Sequence, residues 1–198
     1  MINIVFKIIS LVAIICLSPI ILFASLFVYL EDGLPVFFIQ KRLGKDEVTF
    51  NMIKIRTMCI DTPSLGTHQI KDANFLHTGK VLRRLKIDEL PQLLNFIKGD
   101  LNLVGPRPGL PNQKKLLMHR RLLNIFNQKP GITGLGQILG FDMSNPEILA
   151  KIDNLYVTNR TLKLDIKILF ATFIKGYRLN IYNEFKEKIE IIKENSGV

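Results

Sequence analysis

The stretch GKVLRRLKIDELPQLLNFIKGDLNLVGPRP, residues 79–108, joins a basic segment to two adjacent acids and then to an apolar run. The pattern predicts a helix over residues 80–86, a break, and a second helix that begins near Glu89. Asp88 suits the N-cap of that helix, because its side chain can accept a free N–H of the first turn. Gly99 is typical of a helix end. The predicted apolar face of the second helix consists of Leu90, Leu93, Leu94 and Ile97.

Asp88 and Glu89 are also candidates for chemistry, because two adjacent carboxylates can bind a divalent cation, especially a hard one that prefers oxygen. Arg83 and Arg84 precede them, so the segment offers both a metal and guanidinium groups to an anion, most naturally a phosphate. The alternative is structural: Asp88 only caps the helix, and Glu89 is a favourable acid in its first turn. The residues by themselves leave both interpretations open.

The composition points to an anionic partner. The 198-residue chain has 27 Lys and Arg against 17 Asp and Glu, a net charge of +10. Such a balance suits nucleic acid, a phosphorylated substrate or an acidic lipid surface. The isolated Cys16 and Cys59 indicate a reducing compartment, and the three histidines show no ligand or triad spacing.

Residues 8–30, IISLVAIICLSPIILFASLFVYL, carry no charge and are long enough to span a membrane. Pro19 lies near the middle, where it removes a backbone hydrogen bond and predicts a kink. Ser18 can donate to a preceding carbonyl and steady that bend. A kinked helix that still crosses the bilayer remains an alternative, and the flanking charges do not decide whether the segment crosses.

Four motifs in a fixed order resemble the bacterial sugar transferases. The motifs are Ser18–Pro19, KIRTM at 54–58, the central segment and KPGITGLGQ at 129–137. This family comprises the monotopic phosphoglycosyl transferases, here in their small form, which start glycan assembly on a polyprenyl phosphate carrier. The likeness covers residues 18–165, nearly the whole chain, and implies that Ser18–Pro19 marks a re-entrant helix that returns to the side it entered. The usual basic pair and Asp before that helix are missing, since only Lys7 is present.

The resemblance implies a role for each candidate residue. Asp88 would attack the β-phosphate of a UDP-sugar and expel UMP, and undecaprenyl phosphate would then collect the sugar phosphate. Glu89, with Asp88, would hold Mg²⁺. Arg83 and Lys54 match positions near the phosphates, and Arg107, between two prolines, matches one near the nucleotide. These assignments place the protein on the cytoplasmic face of a bacterial inner membrane, with membrane lipid as a partner and a homodimer left open.

The remaining segments complete an α+β, helix-dominated fold with a small β-hairpin and amphipathic interfacial helices. Strands are predicted within residues 34–45 and 48–56, and the period of two puts Lys54 and Arg56 on one face. The expected domains are a membrane anchor at 1–32, a catalytic domain at 33–178 and a charged, loosely docked tail at 179–198. Other predicted features are a loop at 60–78 that could act as a lid, basic amphipathic helices at 111–127 and within 147–178, and a glycine turn at 129–140 suited to phosphate.

A rival from another class is a non-enzymatic, membrane-tethered protein that binds polyanions through its positive charge. It predicts strongly salt-dependent binding to DNA or RNA. The chain lacks basic patches interleaved with aromatic residues, and its basic residues cluster around carboxylates and an apolar segment. The sequence therefore favours the transferase, without nucleic acid as a partner.

Overall fold

The computed structural model describes residues 2–60, 62, 74–194 and 196, and it is helix-dominated as predicted. Most of the predicted lid loop, at 61 and 63–73, lies outside the described residues, as does His68. The described chain forms two compact units, Met1–Lys41 with Asn51–Gly99 and Arg42–Phe50 with Asp100–Val198. The three predicted domain ranges stay a prediction. The elements in order are α1 (Ile2–Asp32), β1 (Phe37–Leu43), β2 (Thr49–Ile55), α2 (His77–Arg84), α3 (Gln92–Lys98), β3 (Asn102–Val104), α4 (Lys114–Leu122), β4 (Gly131–Thr133), α5 (Leu135–Leu139), α6 (Pro146–Thr158), α7 (Leu162–Phe173) and α8 (Lys175–Glu194).

Helix α1 dominates the first unit. Its Phe6–Asp32 segment is, within the described part of the chain, the one helix long and apolar enough to cross a membrane. Most of its side chains are exposed, including Phe23, Phe27 and Leu30. Such a surface suits lipid better than water. Near its end the helix packs on the rest of the unit, because Ala24 and Val28 are buried with Ile55 and Leu82 in one apolar cluster.

In the Ser18–Pro19 pair, Ser18 supplies the hydrogen bond that Pro19 removes from the helix. Proline has no N–H, so Pro19 leaves the carbonyl four residues earlier, that of Ile15, without its helical donor. The Ser18 hydroxyl donates to that same carbonyl at 2.7 Å. This confirms the predicted bond of Ser18 to a preceding carbonyl, which matters in lipid, where no water can replace the lost donor. The helix is continuous from Ile2 to Asp32, and the kink and re-entrant path stay predictions.

The predicted hairpin is confirmed, because β1 and β2 pair in a two-stranded sheet. Helix α2 packs closely on the chain beyond β2. A Cβ on Gly79 would stand 2.2 Å from the Thr57 carbonyl oxygen, so only glycine permits that approach. Backbone bonds from Leu76 to Thr57 and from Cys59 to Asn74 hold the same junction. Both cysteines are free.

The predicted apolar face of α3 is wrong only in part, since Leu90, Leu93 and Ile97 are half-buried. Leu94 is exposed, whereas Gln92, Asn95 and Phe96 are buried. Asn95 is inside because its amide bonds to the backbone of β2: Ile53 N–H donates to Asn95 Oδ1 at 3.1 Å, and Asn95 Nδ2 donates to the Asn51 carbonyl at 2.8 Å. Gly99 ends the helix at φ 95°, as expected.

The second unit is built around a large apolar core shared by α5, α6, α7 and α8. Its short parallel sheet pairs β3 with β4, which sequence patterns missed because each strand has only three residues. A Cβ on Gly131 would lie 2.1 Å from the Gly105 nitrogen, and the Gly131 N–H donates to the Pro106 carbonyl at 2.9 Å. The glycine at 131 therefore permits close packing of two backbone segments, and the role of residues 129–140 in binding phosphate stays a prediction.

The C-terminal helix α8 is not loosely docked. It begins at Lys175, before the predicted tail, and buries Ile181, Phe185 and Ile189 in the core. This spacing of four residues places one apolar stripe against the unit while the charged residues face outward. The basic helix predicted at 111–127 is shorter than expected: α4 ends at Leu122, and Asn124 at φ 54° precedes a 3₁₀ turn at Ile125–Asn127.

Candidate active site

Asp88 lies in a 3₁₀ turn, Ile87–Glu89, that follows α2 after Lys86 in the left-handed conformation, with φ 61°. Helix α3 begins only at Gln92, with Pro91 at its N-cap position. Asp88 therefore does not cap it, and the structural alternative for this residue is wrong. The side chain is buried, at 6% exposed, and receives no hydrogen bond or ion pair from the residues that the structure describes.

Opposing effects act on the pKa of Asp88. Burial raises the pKa of Asp88 above its ordinary value, and the negative charge of Glu89 acts in the same direction. The positive charges of Lys54, Arg83 and Lys86 oppose that rise. A carboxylate removed from water yet surrounded by cations is poorly solvated and well placed to meet an anionic group.

Glu89 is held by Lys54. The Lys54 Nζ lies 3.1 Å from Glu89 Oε1, and the two side chains are only 13% and 12% exposed. Lys54 reaches the acid pair from β2 and is therefore not a solvated charge on the strand face. Its predicted contact with phosphate stays a prediction.

Arg83 stands on the last turn of α2. Its guanidinium carbon lies 4.9 Å from the ring centroid of Phe75, a cation–π distance that restrains the side chain. The first unit thus brings Asp88, Glu89, Arg83 and Lys54 into one cluster, as the motif predicted. Arg107 belongs to the second unit.

Three further residues of the first unit fix the frame of this cluster, a role that the sequence analysis did not assign to them. Glu31 accepts the N–H groups of His77 at 2.6 Å and Thr78 at 3.0 Å, so the end of α1 caps the start of α2. Asp32 pairs with Arg56, which also donates to the carbonyls of Pro35 and Gly33. The available signal was the acid pair that directly ends the uncharged segment.

Arg107 sits in a turn of the second unit, and its carbonyl accepts from Arg120 Nη1 at 2.8 Å. Arg120 in turn donates twice to Asp153 Oδ2, from Nε at 3.0 Å and from Nη2 at 2.6 Å. Both members of this pair are buried. Burial raises the pKa of Asp153, and Arg120 opposes that rise.

The acid pair fits the predicted Mg²⁺. No group of three or more His, Cys, Asp or Glu side chains is placed to hold a metal in the ranges that the structure describes. Mg²⁺ does not need such a cage, since it is usually held by one or two carboxylates together with water and substrate phosphates. The buried Asp88, with no partner among the described side chains, and the neighbouring Glu89 offer that donor set.

Together the features define a class: a helical α+β protein with an apolar N-terminal helix suited to lipid, in which a buried aspartate and a half-buried glutamate lie near lysine and arginine side chains. The model of the family described as "Bacterial sugar transferase" matches residues 1–178. This chain belongs to that family, which confirms the resemblance carried by the four motifs. Membership in a family of transferases disfavours the alternative of a non-enzymatic polyanion-binding protein.

Three relatives illustrate the match. The uncharacterized sugar transferase EpsL of Bacillus subtilis is 43% identical, over 81% of this chain and 79% of its own length. The UDP-N-acetylgalactosamine-undecaprenyl-phosphate N-acetylgalactosaminephosphotransferase of Aeromonas hydrophila is 35% identical, over 82% and 40%. The UDP-glucose:undecaprenyl-phosphate glucose-1-phosphate transferase of Caulobacter vibrioides is 35% identical, over 78% and 61%. The alignment thus spans less than two thirds of the last two relatives.

Proposed function

We propose that this protein is a phosphoglycosyl transferase that moves a sugar-1-phosphate from a UDP-sugar to undecaprenyl phosphate, as the first membrane step of glycan assembly. The observation that carries the proposal is the buried Asp88 carboxylate, which has no partner among the described residues while Lys54 and Arg83 stand nearby. The names of the relatives give the two substrate classes. A carboxylate among cations suits attack on a diphosphate, whose charge the cations offset.

In the first step, a carboxylate oxygen of Asp88 attacks the β-phosphorus of the UDP-sugar. The bond between that phosphorus and the bridging oxygen breaks, and UMP leaves with the oxygen and its electron pair. The sugar phosphate is then joined to Asp88 as an acyl phosphate. Covalent catalysis of this kind divides one difficult transfer into two easier ones.

In the second step, a phosphate oxygen of undecaprenyl phosphate attacks the same phosphorus. The bond to Asp88 breaks and the carboxylate is restored, so the product is undecaprenyl diphosphate sugar. Arg83 and Lys54 hold the phosphates of the donor, and Arg107 contacts its nucleotide. Glu89 and Asp88 would hold Mg²⁺, which when bound offsets the charge of the diphosphate.

The membrane helix serves the acceptor. Undecaprenyl phosphate keeps its chain in lipid and its phosphate at the interface, so an enzyme embedded at that surface need not extract it. The direct link from the end of α1 to α2 through Glu31 keeps the acid cluster close to the point where the apolar segment ends. We place the catalytic residues on the cytoplasmic side, where nucleotide sugars are made, with α1 entering one leaflet of the inner membrane.

The proposal is tested by UMP release. Full-length protein in lipid nanodiscs is given undecaprenyl phosphate, Mg²⁺ and a panel of UDP-sugars, and UMP is measured for each. We expect release with at least one donor, and none with D88N. A chain that releases no UMP from any UDP-sugar, while it binds DNA or RNA in a salt-dependent way, would contradict the proposal.

A further inference from the structure

The turn that carries Arg107 is pinned at four consecutive carbonyls within the second unit. The carbonyl of Pro106 accepts from Gly131 N–H at 2.9 Å, and that of Gly109 from Leu43 N–H at 3.0 Å. The two carbonyls between them accept from side chains. Arg120 Nη1 donates to Arg107 O at 2.8 Å, and Arg42 Nη1 donates to Pro108 O at 3.0 Å.

Such pinning is needed because of the local sequence. Pro106 and Pro108 have no N–H, so this segment cannot form the regular hydrogen bonds of a helix or strand. Its conformation depends on donors from elsewhere in the unit. Arg120 is a fixed donor because Asp153 holds it, and Arg42 is a fixed donor because it stands on β1, next to the Leu43 N–H that bonds to Gly109.

The surroundings of Arg42 are unfavourable for a positive charge. The Arg42 guanidinium that donates to the Pro108 carbonyl is half-buried and lies near two other guanidinium groups. Burial and the positive charges of Arg107 and Arg120 lower the pKa of Arg42 to about 9. The fold therefore keeps a cation at position 42 in an unfavourable electrostatic setting, which indicates that its bond to the Pro108 carbonyl has a role.

We propose that Arg42 is a positioning residue that fixes the Arg107 turn for binding the phosphate of the nucleotide, the uridine monophosphate half of the donor. The inference rests on the proposed function, in which Arg107 contacts the nucleotide. Arg42 acts through the Pro108 carbonyl, so its removal loosens the turn from which the Arg107 side chain projects.

The test uses UMP itself as the probe, with full-length protein in nanodiscs and calorimetric titration. The variants are R42Q, R107Q, the double variant and R42K. The control is R121Q, because Arg121 is next to Arg120 on α4 but exposed and paired with Glu47. We expect R42Q and R107Q each to weaken UMP binding about tenfold, the scale of one charge-assisted hydrogen bond. The double variant should lose little more than either single variant, since one residue acts through the other.

Hydrogen exchange of the peptide covering residues 105–110 separates positioning from direct contact. Exchange there should be faster in R42Q than in the wild type or R121Q, while R42K, which keeps one donor, should recover part of both the protection and the affinity. If R42Q does not fold, R42K decides the question. It should then show faster exchange at residues 105–110 and weaker UMP binding than the wild type, and equality with the wild type in both would overturn the inference.

Other outcomes overturn the inference. Fully additive losses in the double variant, or unchanged exchange and affinity in R42Q, would contradict the positioning role of Arg42. If the wild type still releases UMP from a UDP-sugar in that case, the proposed function is not affected. Wild-type protein that binds no UMP would contradict both the positioning role and the proposed function.

Discussion

Two buried aspartates show how the same side chain serves different ends in the two units. Asp88 is 6% exposed and Asp153 is 3% exposed, and burial raises the pKa of both. Asp153 receives two hydrogen bonds from Arg120, which is itself buried. Asp88 receives none from the residues that the structure describes, although Lys54 and Arg83 lie close enough to influence its charge.

The difference lies in what offsets the buried charge. A buried carboxylate without a partner is unfavourable, and folds tolerate it mainly where a ligand or a reaction uses it. Asp153 is offset within the fold and stabilises the second unit by fixing Arg120. Asp88 is left for something from outside, which we assign to a metal ion and a diphosphate.

The largest expected effect is on activity at Asp88. D88N should lower UMP release at least about a thousandfold, the scale seen when a nucleophile is removed. Its thermal unfolding midpoint should be unchanged or higher, because an unpaired buried charge is replaced by a neutral group of the same shape. Steady-state UMP release measures the expected loss of activity, and thermal unfolding measures the expected stability. A variant that is strongly destabilised would show that Asp88 is a structural residue like Asp153.

The reverse pattern is expected at Asp153. D153N leaves the buried Arg120 charge without its carboxylate, so the free energy of unfolding should fall by about 3–5 kcal/mol. At temperatures where the variant is folded, it should still form UMP. Denaturant unfolding followed by circular dichroism measures the loss, with R121Q as the control, because an exposed pair contributes little. A loss in D153N no larger than that in R121Q would refute the contrast between the two aspartates.

A smaller effect is expected at Glu89. E89Q removes one of two carboxylates that we assign to Mg²⁺, so the Mg²⁺ concentration for half-maximal UMP release should rise about tenfold or more. The control is E187Q, since Glu187 is exposed on α8 in the second unit. An unchanged Mg²⁺ response in E89Q would contradict a role of Glu89 in binding Mg²⁺ and leave its ion pair with Lys54 as its observed contact.

The smallest effect is expected at the end of α1. E31A removes the acceptor of the His77 and Thr78 N–H groups, so α2 should lose about 1 kcal/mol, as for other helix caps. Hydrogen exchange of those two amides should speed up while E187A leaves them unchanged. Equal exchange in wild type and E31A would mean that Glu31 does not hold α2 to α1.

Local patterns in the sequence predicted much of the first unit. The hairpin, helix α2, the helix end at Gly99 and the acid pair all follow from residues within a few positions of one another. The Ser18 bond to a preceding carbonyl was also predictable, because a proline in a helix leaves a carbonyl at a known spacing. The roles of the site residues rest on the family resemblance.

What the sequence could not predict depends on partners distant along the chain. Asn95 is buried because it bonds to the backbone of β2, more than 40 positions away, so its polarity misled the prediction of the α3 face. Arg120 and Asp153 lie on different helices and look like ordinary surface charges until the fold joins them. Pairing over such distances is set by tertiary packing, which no local period encodes.

The account depends most on Asp88 as the nucleophile. The direct measurement is the mass of the intact protein after rapid mixing with a UDP-sugar and no acceptor, followed by peptide mapping. We expect a gain of one sugar phosphate on the peptide that contains Asp88, lost again when undecaprenyl phosphate is added, and absent in D88N. UMP release in the wild type with no such adduct under rapid quenching, or with the adduct on another residue, would contradict the account.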